Sequence, residues 1–451
     1  MDFLISLLRG LLGLVVILGI ALLFSNNRRK VNWRMVGAGL LLQIVLAVLI
    51  LKGSAMGEFF GPLGWPKAFF SWISSFFVLV LNFTTAGAQF VFGDLAVPPS
   101  GTIAPGTPLA TGQSWGNLFA FQVLPTIIFF GSLMAILYHL GIMQRVVQGM
   151  AWLVSRFLGT SGAESLSVTA NIFVGQTEAP LVVRPYLDRM TYSELMAVMT
   201  GGMATIAGGV MAAYIVFLGG PFAAVQGLEL EVAQLRFAEH LLGASLMAAP
   251  AALVLAKILI PEIGQPETSG TISANVEKTS KNVIDAAAAG ASDGLKLSLN
   301  VAAMLIAFLA LIAMLNYILG WGAGFFDAEL SLETLLGWVF APLAWLIGVP
   351  WADATQFGSL IGIKVVANEF VAYLQLAGNI SDGTLTSKTV VMATFALCGF
   401  ANFSSIAIQI GGIGPLAPSR KSELAQLGLK AVLAGTLANM MTATIAGVMT
   451  V

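Results

Sequence analysis

SGAESLSVTANIFVGQTEAPLVVR, residues 161–184, sets carboxylates, amides and hydroxyls among aliphatic residues where the surrounding chain is apolar enough to lie in a membrane. An ionised side chain at the bilayer centre costs about 2.5–3.5 kcal/mol on insertion scales, so its presence there calls for a partner or a task. Backbone that leaves the helix at such depth persists only where it is buried in protein or faces a watery cavity, because lipid offers no partner for freed N–H and C=O groups. The stretch therefore reads as a re-entrant hairpin. Its tip, Gly175-Gln176-Thr177-Glu178-Ala179-Pro180, has a glycine that permits the sharp turn and a proline that starts the second arm.

The rest of the chain supports that setting. Of 451 residues, 57% are hydrophobic and 10% charged, and the mean hydropathy is +0.89. A soluble domain of this size would need far more polar surface. The formal net charge of −1 gives no electrostatic footing for nucleic acid, and one cysteine, Cys398, excludes an internal disulfide or a cysteine metal cluster. The N-terminal apolar stretch has no small-residue cleavage site before Asn26 and reads as a retained span rather than a signal peptide.

A helix needs about 20 apolar residues to cross the hydrocarbon core. Eight segments meet that standard, at 4–24, 35–52, 117–139, 191–218, 235–260, 295–319, 388–416 and 426–450. Cytoplasmic loops concentrate Lys and Arg, so Asn26-Asn27-Arg28-Arg29-Lys30 and Arg34 put the first loop inside and the N-terminus outside. Counting onward leaves 94–116, without Lys or Arg, outside; it places 261–294, with Lys278, Lys281 and the adjacent Lys296, inside, together with Ser419-Arg420-Lys421. The C-terminus is then external. Residues 68–93 and 142–158 read as interfacial helices, whereas 160–188 and 353–376 carry polar breaks and read as hairpins that enter and leave on one face. The expectation is an all-α polytopic membrane protein with eight transmembrane helices, two oppositely oriented re-entrant hairpins and interfacial helices.

The two halves share an order. Ala151-Trp152-Leu153 leads to Glu178 and a break at Gly201-Gly202-Met203-Ala204-Thr205, and Ala344-Trp345-Leu346 leads to Glu369 and a break at Gly399-Phe400-Ala401-Asn402. Hairpins entering from opposite faces are the sign of an inverted repeat, whose interface holds substrate near the midplane.

Gln176 both donates and accepts, which suits an amide-like or heterocyclic edge. The second tip, Ala367-Asn368-Glu369-Phe370, and the break with Asn402, Ser404 and Ser405 join a carboxylate to amides and hydroxyls, a set that suits hydroxyl groups. Structural alternatives exist for each: Glu178 pairing with Arg184, and Asn402 and Ser405 as interhelical glue. Gly201, Gly202, Gly208 and Gly209 read as packing and unwinding positions, Arg184 and Arg189 as anchors of the first hairpin, and His139 and His240 as polar residues near span ends. No Walker-type loop appears, so uphill movement would draw on an ion gradient. Sodium favours oxygen ligands, and unwound carbonyls commonly supply them; Asn171, Thr205 and the carbonyls of Val174 and Ile206 are the candidates.

At Gly175-Gln176-Thr177-Glu178-Ala179-Pro180, Asn368-Glu369-Phe370-Val371-Ala372 and Gly399-Phe400-Ala401-Asn402-Phe403-Ser404-Ser405-Ile406 the chain resembles the concentrative nucleoside transporters, along essentially its full length and in their bacterial form. The resemblance implies a homotrimer in the bacterial inner membrane, both termini periplasmic, that imports nucleosides with sodium by alternating access and is not an enzyme. It implies nucleobase contact at Gln176, Thr177 and Glu178 with Val210 beside it, ribose contact at Glu369, Asn402 and Ser405, Phe400 lining the pocket, and sodium at Asn171, Val174, Thr205 and Ile206. No other cofactor is implied. Some proton-coupled relatives have serine where this chain has Asn171, which favours sodium, while Thr205 stands where serine is familiar. Residues 1–93, 94–141 and 295–333 would be scaffold, 142–218 and 334–418 the two transport repeats, 219–294 the fifth span with its cytoplasmic loop, and 419–451 the last span. A proton-coupled symporter is the runner-up. A polar-solute channel fits unlike hairpins from opposite faces less well, and no serine–histidine or HExxH arrangement supports an intramembrane hydrolase.

Overall fold

Long apolar runs rich in Leu, Ala, Met and Phe satisfy their backbone internally as helices, the form a bilayer demands. The computed structural model describes residues 2–96, 118–269, 280–325 and 330–450, and every regular element among them is helical. The principal helices are α1 (Asp2–Leu23), α2 (Trp33–Leu51), α3 (Trp65–Phe92), α4 (Leu124–His139), α5 (Ile142–Leu158), α6 (Gly162–Ala170), α7 (Tyr192–Ala204) and α8 (Gly208–Gln226). They continue with α9 (Leu230–Leu259), α10 (Val283–Gly324), α11 (Leu332–Leu346), α12 (Trp351–Val366), α13 (Glu369–Ser381), α14 (Ser387–Leu397), α15 (Phe403–Ile413) and α16 (Lys421–Met449).

Eight runs among the described residues are long and apolar enough to cross a membrane, but they are not quite the expected eight. Residues 68–93 fall in one unbroken 28-residue helix, α3, which meets the criterion of length and composition. Residues 388–416 form two short helices, α14 and α15, on either side of an extended break. The sixth span starts at Val283 rather than 295 and runs for 42 residues, about 63 Å at 1.5 Å per residue. Much of the expected 261–294 loop is therefore helix: Asn282 caps the first turn by accepting from Asp285 N–H, and Ala286–Ala289 are strong helix formers. The expected outer loop at 94–116 and Lys278 lie almost wholly outside the described residues.

Burial separates two groups of helices. The most apolar window is 94% buried in α9 and 83% in both α7–α8 and α16, against 28% in α1 and α3 and 17% in α10. The centre is thus α7, α8, α9 and α16, with both hairpins packed on it, and α10 lies along the outside beside α4. Gly131 of α4 and Gly290 and Gly294 of α10 let these two backbones touch; a Cβ at Gly294 would lie 2.8 Å from Ile127 O. His240 sits well inside α9 between the rings of Phe237 and Phe395, not near a span end as its sequence position suggests.

Candidate functional site

The first hairpin is set by two capping boxes. Ser161 caps α6 and Thr191 caps α7, each with the glutamate three residues on, Glu164 and Glu194. The boxes are tied together, since Ser161 Oγ donates to Glu194 Oε1 at 2.5 Å. Lys257, in the last turn of α9, pairs with Glu164 at 2.7 Å and Glu262 at 3.0 Å. The returning arm is a 3-10 helix, Ala179–Arg189. Arg184 is exposed and Arg189 pairs with exposed Glu267 at 2.7 Å. Arg420, just before α16, anchors the arm as well: its Nη1 donates to the carbonyls of Leu187 (3.4 Å), Asp188 (3.1 Å) and Met190 (2.7 Å).

Helix α6 opens at Asn171, and the tip is closed by Gly175 N–H donating to Glu178 Oε2 at 2.8 Å. Glu178 therefore holds its own turn and forms no ion pair with Arg184. The second hairpin, α12 and α13, turns at Ala367 and Asn368, whose Oδ1 accepts from Val371 N–H at 3.0 Å. At its mouth Asp353 Oδ2 accepts from the amide and hydroxyl of Thr386 and from the Thr389 hydroxyl, fastening α12 to the start of α14.

Behind each tip stands an interrupted helix. Thr205, Ile206 and Ala207 separate α7 from α8, and Cys398 to Asn402 separate α14 from α15. Asn402 Oδ1 caps α15, accepting from Ser405 N–H at 2.8 Å and Ser404 Oγ at 2.7 Å. Its Nδ2 donates to Glu369 Oε2 at 3.0 Å, while Tyr214 of α8 donates to Glu369 Oε1 at 3.0 Å. Gln176 Nε2 donates to Ser405 Oγ at 3.1 Å, and Gln176 Oε1 accepts from Gln409 Nε2 at 3.1 Å. The tip can dock this closely because Gly202 has no side chain; a Cβ there would lie 2.6 Å from Gln409 Nε2 and 2.9 Å from Gln176 Cβ.

Tips and breaks enclose a cavity of about 150 Å³. Gln176, Thr177, Glu178, Val210, Glu369, Phe400, Asn402 and Ser405 all line it, so every residue expected at a substrate site converges on one space. Sequence reasoning missed its apolar wall, Leu297, Val301, Met304 and Leu305 of α10, and the two buried supports Tyr214 and Gln409. Thr177, Glu178, Ala207 and Leu297 also line an adjoining cavity of about 520 Å³ between α4, α10 and the first hairpin.

The four residues expected at an ion site lie behind the first tip. Phe173 O accepts from Gly208 N–H at 3.0 Å, stitching the hairpin to the break that carries Thr205 and Ile206. Asn171 is 1% exposed, its Nδ2 donates to Ser167 O at 3.1 Å, and its Oδ1 has no partner. Thr205 Oγ donates to Gly201 O at 2.8 Å and keeps lone pairs free. The carbonyls of Val174 and Ile206 accept no backbone N–H. A buried oxygen without a partner, on a hairpin stitched at Phe173 O to the break that carries the Ile206 carbonyl, is chemistry that fits a small hard cation.

Models of the Na+ dependent nucleoside transporter match the N-terminal part at residues 12–95 and the C-terminal part at 240–447, and a nucleoside recognition model matches 120–221. The nucleoside permease NupC of Helicobacter pylori is 42% identical over 447 residues, covering 98% of this chain and 97% of that one. The structure of CNTnw in an inward-facing substrate-bound state superposes with a TM-score of 0.84 at 43% identity, covering 99% of this chain and 98% of that one. A variant of CNTnw in an outward-facing state gives 0.85 at 43% identity, with the same coverage. Matches along the whole length, in sequence and in fold, have one meaning: the chain belongs to the concentrative, Na+-dependent nucleoside transporter family.

Proposed function

We propose that this protein imports nucleosides across a bacterial inner membrane, drawing on the sodium gradient, by alternating access of a transport domain. The observation that carries the reading is the convergence of both hairpin tips and both helix breaks on one cavity, with Glu369 and Asn402 on one side and Gln176, Thr177 and Glu178 on the other. A carboxylate with accepting capacity left over suits ribose hydroxyls, and an amide that donates and accepts suits a base edge. Sodium sits behind the first tip, on Asn171 Oδ1, Thr205 Oγ and the carbonyls of Val174 and Ile206; the orphaned Asn171 oxygen supports this. Ion binding orders the tip and so completes the nucleoside site, a coupling that is reciprocal by linkage.

The hairpins enter from opposite faces as halves of an inverted repeat, and α3 lies along the outer surface. That placement keeps Arg28, Arg29 and Lys30, Lys281 and Lys296, and Arg420 and Lys421 all on the cytoplasmic side, whereas a crossing α3 would divide them between the two faces. Residues 142–218 and 334–418 move against a scaffold that includes α10, whose outward face carries Ile306, Met314, Tyr317, Ile318 and Trp321, all at least half exposed. Such a face suits lipid and the contact between copies in a homotrimer. Uptake of labelled uridine into proteoliposomes tests the reading: an inward sodium gradient should accelerate uptake over potassium, and equal rates would refute sodium coupling.

A further inference from the structure

The two interrupted helices meet at one side chain. Asn439, on α16 and 1% exposed, donates from Nδ2 to Ala204 O at 2.7 Å and to Cys398 O at 2.8 Å, the carbonyls that end α7 and follow α14. Its Oδ1 accepts from Lys364 Nζ at 2.7 Å, and the same ammonium donates to Ala396 O at 2.9 Å. Lys364 lies on the first arm of the second hairpin, is 0% exposed and forms no ion pair among the described residues. The breaks also bond directly, Phe400 N–H to Thr205 O at 3.3 Å. Gly399 makes the approach possible, since a Cβ there would lie 2.8 Å from both Met203 O and Ala204 O.

Helix C-termini present carbonyls without intrahelical donors and a partial negative charge. One amide donates to a carbonyl at each break, and the lysine nitrogen behind it donates to Ala396 O beside the second. The connection is unbroken: Ala204 adjoins Thr205 at the ion site, Asn439 joins Ala204 to Cys398, and the segment after Cys398 carries Phe400 and Asn402, whose amide holds Glu369. Lys364 fastens the arm bearing Glu369 to the same point.

We propose that Asn439 and Lys364 are positioning residues that transmit sodium binding at Thr205 to the nucleoside pocket. The proposal rests on the functional reading above. A bound ion fixes the end of α7, and the clamp passes that restraint to the second break and hairpin.

The test is equilibrium binding of uridine in sodium and in potassium by the purified full-length protein, beside Asn439→Ala, Asn439→Asp, Lys364→Met and Lys364→Arg. Sodium should tighten uridine binding to the unsubstituted protein by a factor in the usual coupling range, roughly 5- to 150-fold. Asn439→Ala and Lys364→Met should bring that factor to within about twofold of one while uridine affinity in potassium changes little. Lys364→Arg, which keeps N–H donors at that position, should restore most of it; Asn439→Asp, which keeps the lysine's acceptor and loses the donor to both breaks, should not. Full sodium stimulation in Asn439→Ala, or equal weakening in both salts, overturns the clamp. If Asn439→Ala yields no monodisperse protein, Lys364→Met decides by the same criterion, since it keeps most of the stem and removes only the ammonium. An unsubstituted protein indifferent to sodium would instead overturn the functional reading itself, and the clamp with it.

Discussion

Glu369→Gln should separate the proposed recognition of ribose from upkeep of the fold. The carboxylate has about four acceptor sites, and the structure fills two, with Tyr214 and with Asn402. Two remain for hydroxyls of a substrate. The replacing amide must turn its oxygen toward Asn402 Nδ2, because Asn402 cannot flip: its Oδ1 caps α15. Its nitrogen then faces the Tyr214 hydroxyl, which rotates to accept, so the buried network survives. What is lost is charge. Hydrogen bonds to charged groups contribute about 1.5–3 kcal/mol and neutral ones about 0.5–1.5, a difference near 1–1.5 kcal/mol per bond. Two hydroxyl contacts give about 2–3 kcal/mol, or roughly a 30- to 150-fold rise in uridine Kd. Calorimetric titration in sodium reads this directly, with 2′,3′-dideoxyuridine as the control that lacks both donors and should lose less than about threefold. An unchanged uridine Kd, or an equal loss for both ligands, would refute the ribose assignment.

Asn171→Ala should abolish sodium stimulation of uridine uptake while leaving uridine binding in potassium within about twofold, since the coupling term alone is removed; stimulation that persists would take Asn171 out of the ion site. Gly202→Ala should overpack the tip against Gln176 and Gln409, at about 1–3 kcal/mol, and raise uridine Kd roughly 5- to 150-fold; the same titration checks it, and normal affinity would mean the docked tip is not the binding-competent form. Lys257→Met should strand Glu164, which is 1% exposed. Breaking a buried pair from one side costs about 3–5 kcal/mol, so the thermal midpoint in detergent should fall by several degrees, and an unchanged midpoint would show that the cluster does not hold the hairpin mouth.

The tips and the breaks were legible in the sequence because each puts a polar run or a glycine pair where apolar periodicity ought to continue. Gly175 to Pro180, Asn368 and Asn402 announce themselves locally. Tyr214 does not: it lies in GGVMAAYIVFLGG, where one more aromatic resembles filler, and only tertiary packing brings its hydroxyl to Glu369. Gln409 left a faint signal, standing one helical turn after Ser405 and on its face. Lys364 and Asn439 are single polar residues in separate helices, 75 positions apart, and nothing short of the fold pairs them. The early start of α10 escaped notice because VIDAAAAGASDG is helix-forming without being apolar, so a search for hydrophobic length begins too late. Of the two arginines near the hairpin in sequence, Arg189 does hold the end of the arm, on Glu267, whereas Arg184 is exposed; the further anchor, Arg420, is near only in space.

Gln176 is held by Ser405 and Gln409, and Glu369 by Tyr214 and Asn402. In the proposed site a nucleoside therefore gains only the difference between its own contacts and these internal ones. Among the described residues the Asn171 oxygen has no such companion, so on the proposed reading a cation arriving there would displace no internal bond.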